Sequence, residues 1–326
     1  MIRLYLVKKD SYIEITELIE TISWGGEKTQ AARQIDFNIL SSPYDRNLAT
    51  VNIELGDTVV LKEKDKELFR GYIFFEDKSY NSTSINYTAF DCAIYTLKNE
   101  NSYNFKGVTP EDATKRICVD FGIPYKDIAY TGISLNKKFI GVKLYTIIMS
   151  CYTVATQNNG NKYMILAREG ELNVIEKGVT TLSLVFENGV NLLDSSYTKN
   201  LDKMVNKVRI VDKDGNLIKD VVDNELLNTY GSFQQVITQS DGKDETKKAN
   251  SMLKGIESKI KITGFGDTTC ITGMGVEVYD SYTGISGLFY IDSDKHTWSN
   301  GVYTVDLVLN LENLMDENES GDVSDK

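Results

Sequence analysis

The single histidine, His296, closes the run Asp292-Ser293-Asp294-Lys295-His296. In an extended chain alternate residues share a side, so two carboxylates and an imidazole would face one way, a donor set suited to a divalent metal. Asp-x-Asp stretches are also common in loops, and we read this run as a polar turn. Any Ser–His–Asp triad would have to converge on the same imidazole. The G-x-S-like stretch Gly284-Ile285-Ser286-Gly287 lacks the spacing of a nucleophile elbow. Asp212-Lys213-Asp214-Gly215-Asn216 imitates a calcium loop, but its glycine falls at the fourth place and Asp223, not a glutamate, stands at the twelfth. A hairpin turn accounts for it better. Gly264-Phe265-Gly266 and Gly273-Met274-Gly275 have no third glycine and open no helix, and no GK[ST] phosphate loop occurs. Cys92, Cys118, Cys151 and Cys270 form no CxxC pair and read as reduced, mostly buried thiols. These residues assign no catalytic, cofactor-binding or metal position, and no cofactor is expected.

Two further features bear on chemistry. With 47 acidic residues, some carboxylate pair reaches glycosidase spacing by chance, which keeps a cell-wall hydrolase as an alternative. Trp24 and Trp298 stand beside turn residues. Core packing is the default for tryptophan, and exposure would instead suggest contact with carbohydrate or protein.

The elements that must position these residues are mostly strands. Ile35-Asp36-Phe37-Asn38-Ile39 and Ser84-Ile85-Asn86-Tyr87-Thr88-Ala89-Phe90 alternate, as strands with one buried face do. Leu68–Phe75 is a strand in which Gly71 marks a bulge. From about residue 105 the pattern changes. Thr109-Pro110-Glu111-Asp112 opens a helix with Thr109 as N-cap and Pro110 at its first position, and Gly122 ends it. A second helix runs from about 143 to 157 and stops at Asn158-Asn159-Gly160. A hairpin follows around Glu169-Gly170. Beyond 185 the chain returns to strands, with a hairpin at Asp212–Asn216 and one helix over roughly 244–259. The division is thus 1–104, mainly β; 105–185, a small α/β insert; 186–316, β with one helix; and 317–326, a polar acidic tail expected to be disordered.

The formal net charge is −11, and the lysine pairs Lys137-Lys138 and Lys247-Lys248 are isolated. A chain without a basic patch is not expected to bind nucleic acid sequence-specifically; its acidity reads first as serving solubility, and an acidic wall would also suit a channel through which DNA slides. No stretch nears the roughly 20 apolar residues of a membrane helix, so no membrane insertion is expected, and the first residues are too short an apolar run for a signal peptide.

Two segments carry a family resemblance. One is Ile22-Ser23-Trp24-Gly25-Gly26-Glu27-Lys28-Thr29-Gln30-Ala31-Ala32-Arg33-Gln34-Ile35-Asp36-Phe37. The other is Gly287-Leu288-Phe289-Tyr290-Ile291-Asp292-Ser293-Asp294-Lys295-His296-Thr297-Trp298-Ser299-Asn300-Gly301-Val302-Tyr303. In this order, with Leu201–Val208 between them, they resemble the XkdQ/YqbQ-type hub proteins of contractile phages, defective prophages and R-type bacteriocins. The resemblance implies a mainly β (α+β) fold of two tail-tube-like β-barrel domains around the insert. It implies a homotrimeric ring that adapts a six-fold tail tube to a three-fold spike. Its neighbours would be the tail tube or a tube-initiator protein, the spike, other baseplate proteins and the tape-measure protein. The particle, a virion or bacteriocin, would assemble in the bacterial cytoplasm and leave by lysis. It makes Trp24, Gly25, Gly26, Ala31, Ala32, Arg33, Phe37, His296, Thr297, Asn300 and Gly301 structural positions, Trp24 anchoring a turn and His296-Thr297 with Asn300-Gly301 shaping a loop between the last strands. No catalytic residue carries over. A structural hub is the first reading; a cell-wall hydrolase or a carbohydrate-binding tail adhesin is the alternative.

Overall fold

The computed structural model describes residues 2–9, 11–41, 51–80, 82–239 and 245–323. The first ninety residues supply β1 (Ile2–Lys8), β2 (Ser11–Glu14), β3 (Ile19–Glu27), β4 (Gln30–Leu40), β5 (Thr58–Glu63), β6 (Lys66–Lys78) and β7 (Ser84–Asp91). They pair in the order β3-β4-β7-β6-β5-β1-β2. Alternation decides what each strand buries. In β4, Ala31, Arg33, Ile35, Phe37 and Ile39 point inward. Ile35, Phe37 and Ile39 meet Leu4, Leu6, Val59, Leu61 and Tyr87 in one core, where each large apolar side chain contributes about 1.5–3 kcal/mol.

The insert supplies α1 (Ile94–Lys98), β8 (Glu100–Val108), α2 (Pro110–Asp120), β9 (Tyr125–Ile128), β10 (Leu135–Lys143), α3 (Leu144–Asn159), β11 (Tyr163–Arg168) and β12 (Glu171–Glu176). Thr109 caps α2 as its type predicts, its hydroxyl accepting from the Asp112 N–H at 3.3 Å. Gly160 ends α3 in the left-handed conformation. Glu169 and Gly170, both at positive φ, make the two-residue turn of the β11–β12 hairpin. Ile117, Ile147, Cys151, Phe105 and Phe139 share a core with Ala31 and Ala32 of β4, so the insert packs directly on the first sheet.

The rest comprises β13 (Thr181–Glu187), β14 (Leu192–Asn200), β15 (Lys207–Val211), β16 (Leu217–Val222), α4 (Asn224–Tyr230), β17 (Gln234–Thr238), α5 (Thr246–Met252), β18 (Glu257–Phe265), β19 (Gly275–Asp280), β20 (Ile285–Ser299), β21 (Val302–Asn310) and β22 (Asp322–Val323). Ser196–Ile260 forms a compact unit of its own, a β16-β15-β17 sheet whose Val208 and Ile210 pack with Ala249 of α5. Met1–Ser195 and Lys261–Lys326 form the other unit. There β20 pairs with β3, which joins both ends of the chain in one 13-stranded sheet, β14-β18-β21-β20-β3-β4-β7-β6-β5-β1-β2, with β19 and β13 beside β20. The fold is mainly β, as the sequence predicts. No strand pairing closes a barrel among the described residues: β2 and β14 stand at opposite ends of the strand order.

Three expectations need correction. The helix placed at 244–259 spans only Thr246–Met252, and Asp244 lies outside the described residues. Beyond it Lys259-Ile260-Lys261-Ile262 alternates exposed and buried, a period-two pattern that makes β18. The acidic tail is held as far as Val323: Asn318 N–H donates to Thr153 Oγ1 at 3.0 Å, Ser320 N–H to Ser150 Oγ at 3.2 Å, and β22 pairs with β10. Residues 324–326 lie outside the described residues. The run 292–296 is not a turn; it lies within the fifteen-residue β20.

Candidate functional site

The two motif segments, some 260 residues apart, lie side by side. In the β20–β3 register His296 faces Trp24, Lys295 faces Gly25 and Asp294 faces Gly26. A register shift between Ile291 and Ser293 marks a bulge in β20. The extra residue turns both Ile291 and Asp292 inward, and alternation then buries Asp294 and His296. The three candidate ligands thus do face inward, but protein cations hold their carboxylates.

Arg33 and Asp294 form the centre. Arg33 Nη1 donates to Asp294 Oδ1 at 2.9 Å and Nη2 to Oδ2 at 2.5 Å, and both side chains are buried. Thr272 adds two donors to Asp294 Oδ1, its N–H at 2.6 Å and its hydroxyl at 2.7 Å. Burial opposes the Asp294 charge, but the Arg33 guanidinium and the bonds from His296 and Arg33 outweigh it and hold the carboxyl well below the usual range. Arg33 also stacks its guanidinium 4.3 Å from the Trp24 ring centroid, and His296 stacks 4.8 Å from the same indole. His296 Nε2 lies 3.1 Å from the Cys270 carbonyl oxygen and 3.3 Å from Asp294 Oδ2, two acceptors, so it carries the proton. Nδ1 lies 2.8 Å from the Tyr303 hydroxyl, which burial keeps protonated. The imidazole has no exposed surface, so nothing in solution reaches it.

A second ionic knot lies along β20. Asp292 accepts from Lys28 Nζ at 2.5 Å and Lys177 Nζ at 2.9 Å, and Lys177 also donates to the Leu314 carbonyl at 2.8 Å. Burial lowers the Lys177 pKa, and Asp292 opposes that shift. On the other side of Arg33, its backbone N–H donates to Asp91 at 2.9 Å. Burial pushes the Asp91 carboxyl up to about 7, against the pull of two backbone N–H donors and the Arg33 charge.

The glycines follow from this closeness. A Cβ on Gly25 would run into the Asp294 carbonyl oxygen, and one on Gly26 would lie 2.9 Å from Arg33 Nη1. Trp24, Gly25, Gly26, Arg33 and His296 therefore meet in one seam. Trp24 lies within β3, not at a turn. Ala31 and Ala32 belong to the helical core, and Phe37 stacks on Tyr87 at 5.4 Å. Thr297 faces Ser23 across β20–β3. Asn300 and Gly301, both at positive φ, form the two-residue β20–β21 turn, where His296-Thr297 are strand residues instead. Trp298 stacks on Tyr303 at 4.4 Å, half-buried.

Asp91, Lys28, Lys177, Thr272 and Tyr303 were not singled out from the sequence. Arg33 held the clearest signal: it occupies the inward parity of β4 between Ala31 and Ile35, which demands a buried counter-ion. Asp294 and His296 repeat that signal on β20. Thr272 and Lys177 lie outside regular strands, where spacing carries no such information.

A family model described as YQBQ-like matches residues 22–310. The XkdQ protein of the phage-like element PBSX of Bacillus subtilis is 28 % identical, the match covering 98 % of this chain and all of that protein. The 43 kDa tail protein of prophage MuSo2 from Shewanella oneidensis shares the fold, with a TM-score of 0.72 at 13 % identity over 94 % of this chain and 97 % of that one. An E. coli component of the type VI secretion system, described as structurally similar to the T4 bacteriophage tail proteins gp27 and gp5, aligns with a TM-score of 0.54 at 7 % identity, over 94 % of this chain and 76 % of its own.

Proposed function

The chain belongs to the YQBQ-like family, and from that premise we propose that it is a structural subunit of a phage-like tail baseplate. The observation that carries this reading is the end-to-end correspondence with a protein of a phage-like element, reinforced by a fold shared over nearly the whole chain with a prophage tail protein. The finer reading is a hub: three copies form a ring that adapts the six-fold tail tube to the three-fold spike, with 1–104 and 186–316 as the two related modules that each copy presents. Its neighbours are the tube or tube initiator, the spike, other baseplate proteins and the tape-measure protein, in a particle assembled in the cytoplasm and released by lysis. Likeness to a component compared with gp27 and gp5 supports that position.

The seam fits such a role physically. Its ionisable side chains hold one another and tie strands from both ends of the chain, so they set shape rather than transform a substrate. The net charge of −11 favours carboxylates along the ring's inner wall, which would repel passing DNA. Native mass spectrometry of the chain with its spike tests this. The reading expects three copies of this chain on one spike trimer. Complexes with one or six copies, or peptidoglycan cleavage by the purified chain in a zymogram, would overturn it.

A further inference from the structure

Trp24 Nε1 and Arg33 Nε are buried donors that meet no acceptor among the described residues. Buried donors nearly always have partners, so two in adjacent side chains call for a cause. Both side chains line one cavity of about 390 Å³. Leu68, Leu166, Ile271 and Met274 make its walls mainly apolar. Two exposed cations, Lys66 and Arg168, also line it, and no salt bridge among the described residues engages either. Its two carboxylates are engaged instead: Glu67 with Arg70 at 2.6 Å and Glu169 with Lys126 at 3.6 Å. The size and the mix of apolar wall with a few polar groups suit a small ligand group. The charged groups left without a carboxylate partner are the cations Lys66 and Arg168.

We propose that this cavity is a binding site for an apolar group that carries a carboxylate. The apolar body lies against Leu166 and Met274, the carboxylate meets the exposed Arg168 and Lys66, and binding shifts Trp24 and Arg33 so that their buried donors reach it. A neutral ligand would leave those cations without a counter-charge, and a purely polar one would strand the apolar wall. The chemistry is met by a free aromatic acid or by a polypeptide ending in an aromatic residue. The proposal stands independently of the hub reading.

The test uses the full chain with Trp298→Phe, which leaves Trp24 as the one indole, and titrates it with phenylacetate and with N-acetyl-Ala-Ala-Phe. Calorimetry on the unsubstituted chain runs in parallel, so the outcome does not depend on how the variant folds. At least one probe should give a saturable change, and which one binds identifies the source. Phenylacetamide, or Arg168→Ala with the acid, should bind about tenfold more weakly, the loss of one charge-assisted hydrogen bond. Three results would each overturn the proposal: no saturable signal from either acid up to roughly 10 mM, the weak limit for such a group; equal binding of the amide; or an unchanged affinity in Arg168→Ala.

Discussion

Replacing Arg33 with methionine keeps most of the stem's volume and removes the cation. Asp294 then stays buried with only Thr272 and His296 as partners. Stranding one member of a buried pair costs about 3–5 kcal/mol. Loss of the stacked guanidinium over Trp24 adds about 0.5–2 kcal/mol. A native domain has about 5–15 kcal/mol in all, so Arg33→Met should leave the seam near its folding limit at neutral pH. Both tryptophans flank the seam, so urea unfolding followed by their fluorescence reports this region directly. The sign with pH follows from Asp294. In the parent chain its carboxyl is held low, so its contribution is present above about pH 4, the usual value, and is lost as pH falls below that. In the variant, burial without the cation raises the same carboxyl, and its stability contribution is lost as pH rises. The gap between the two proteins should therefore be widest near pH 7 and shrink toward pH 4. Arg33→Met combined with Asp294→Leu removes both charges and should cost well under the sum of the single changes. A single-variant cost below about 1 kcal/mol, or additive single costs, would refute the reasoning, since either would mean the pair is not coupled.

Gly25→Ala forces a Cβ onto the Asp294 carbonyl; it should cost about 2–3 kcal/mol, whereas Gly107→Ala, with open space but φ of +64°, should cost about 1 kcal/mol, both read by thermal unfolding. Asp91, raised to about 7 by burial, binds a proton in the native state that the unfolded chain has released, so stability falls as pH rises from about 4 to 7, by up to about 1.4 kcal/mol per pH unit. Asp91→Asn should flatten that part of the curve of stability against pH; an unchanged slope would contradict the assignment. All four cysteines are buried, with burial pushing Cys118 and Cys151 up to about 12, so a thiol reagent at pH 8 should find none in the native chain and four in denaturant.

Local chemistry was legible wherever one or two residues decide the backbone. Thr109 and Pro110 announce α2, Gly160 stops α3, and Asp212 folds its turn by accepting from the backbone N–H groups of Asp214 and Asn216. Long-range partners were not legible. Asp292, Asp294 and His296 look like a polar turn because their hydrophilicity is weighed without Arg33, Lys28 and Lys177, which neutralise it from distant segments. The same holds for α5. Ile256 and Ile260 continue its helical spacing, yet the buried faces of Ile260 and Ile262 select a strand, a tertiary choice that outweighs propensity. The tail reads as disordered because its composition is acidic, while Met315 fills a slot in the core beside Tyr163 and anchors the segment.

The reading of this chain as a hub turns on its copy number and place in the assembled particle. Electron cryo-microscopy of purified particles, with density assigned to this chain, measures both. The account predicts three copies in a closed ring between the last tube layer and the spike, with carboxylates facing the lumen. Six copies, a position on a fibre or at the periphery, or absence from the particle would contradict it.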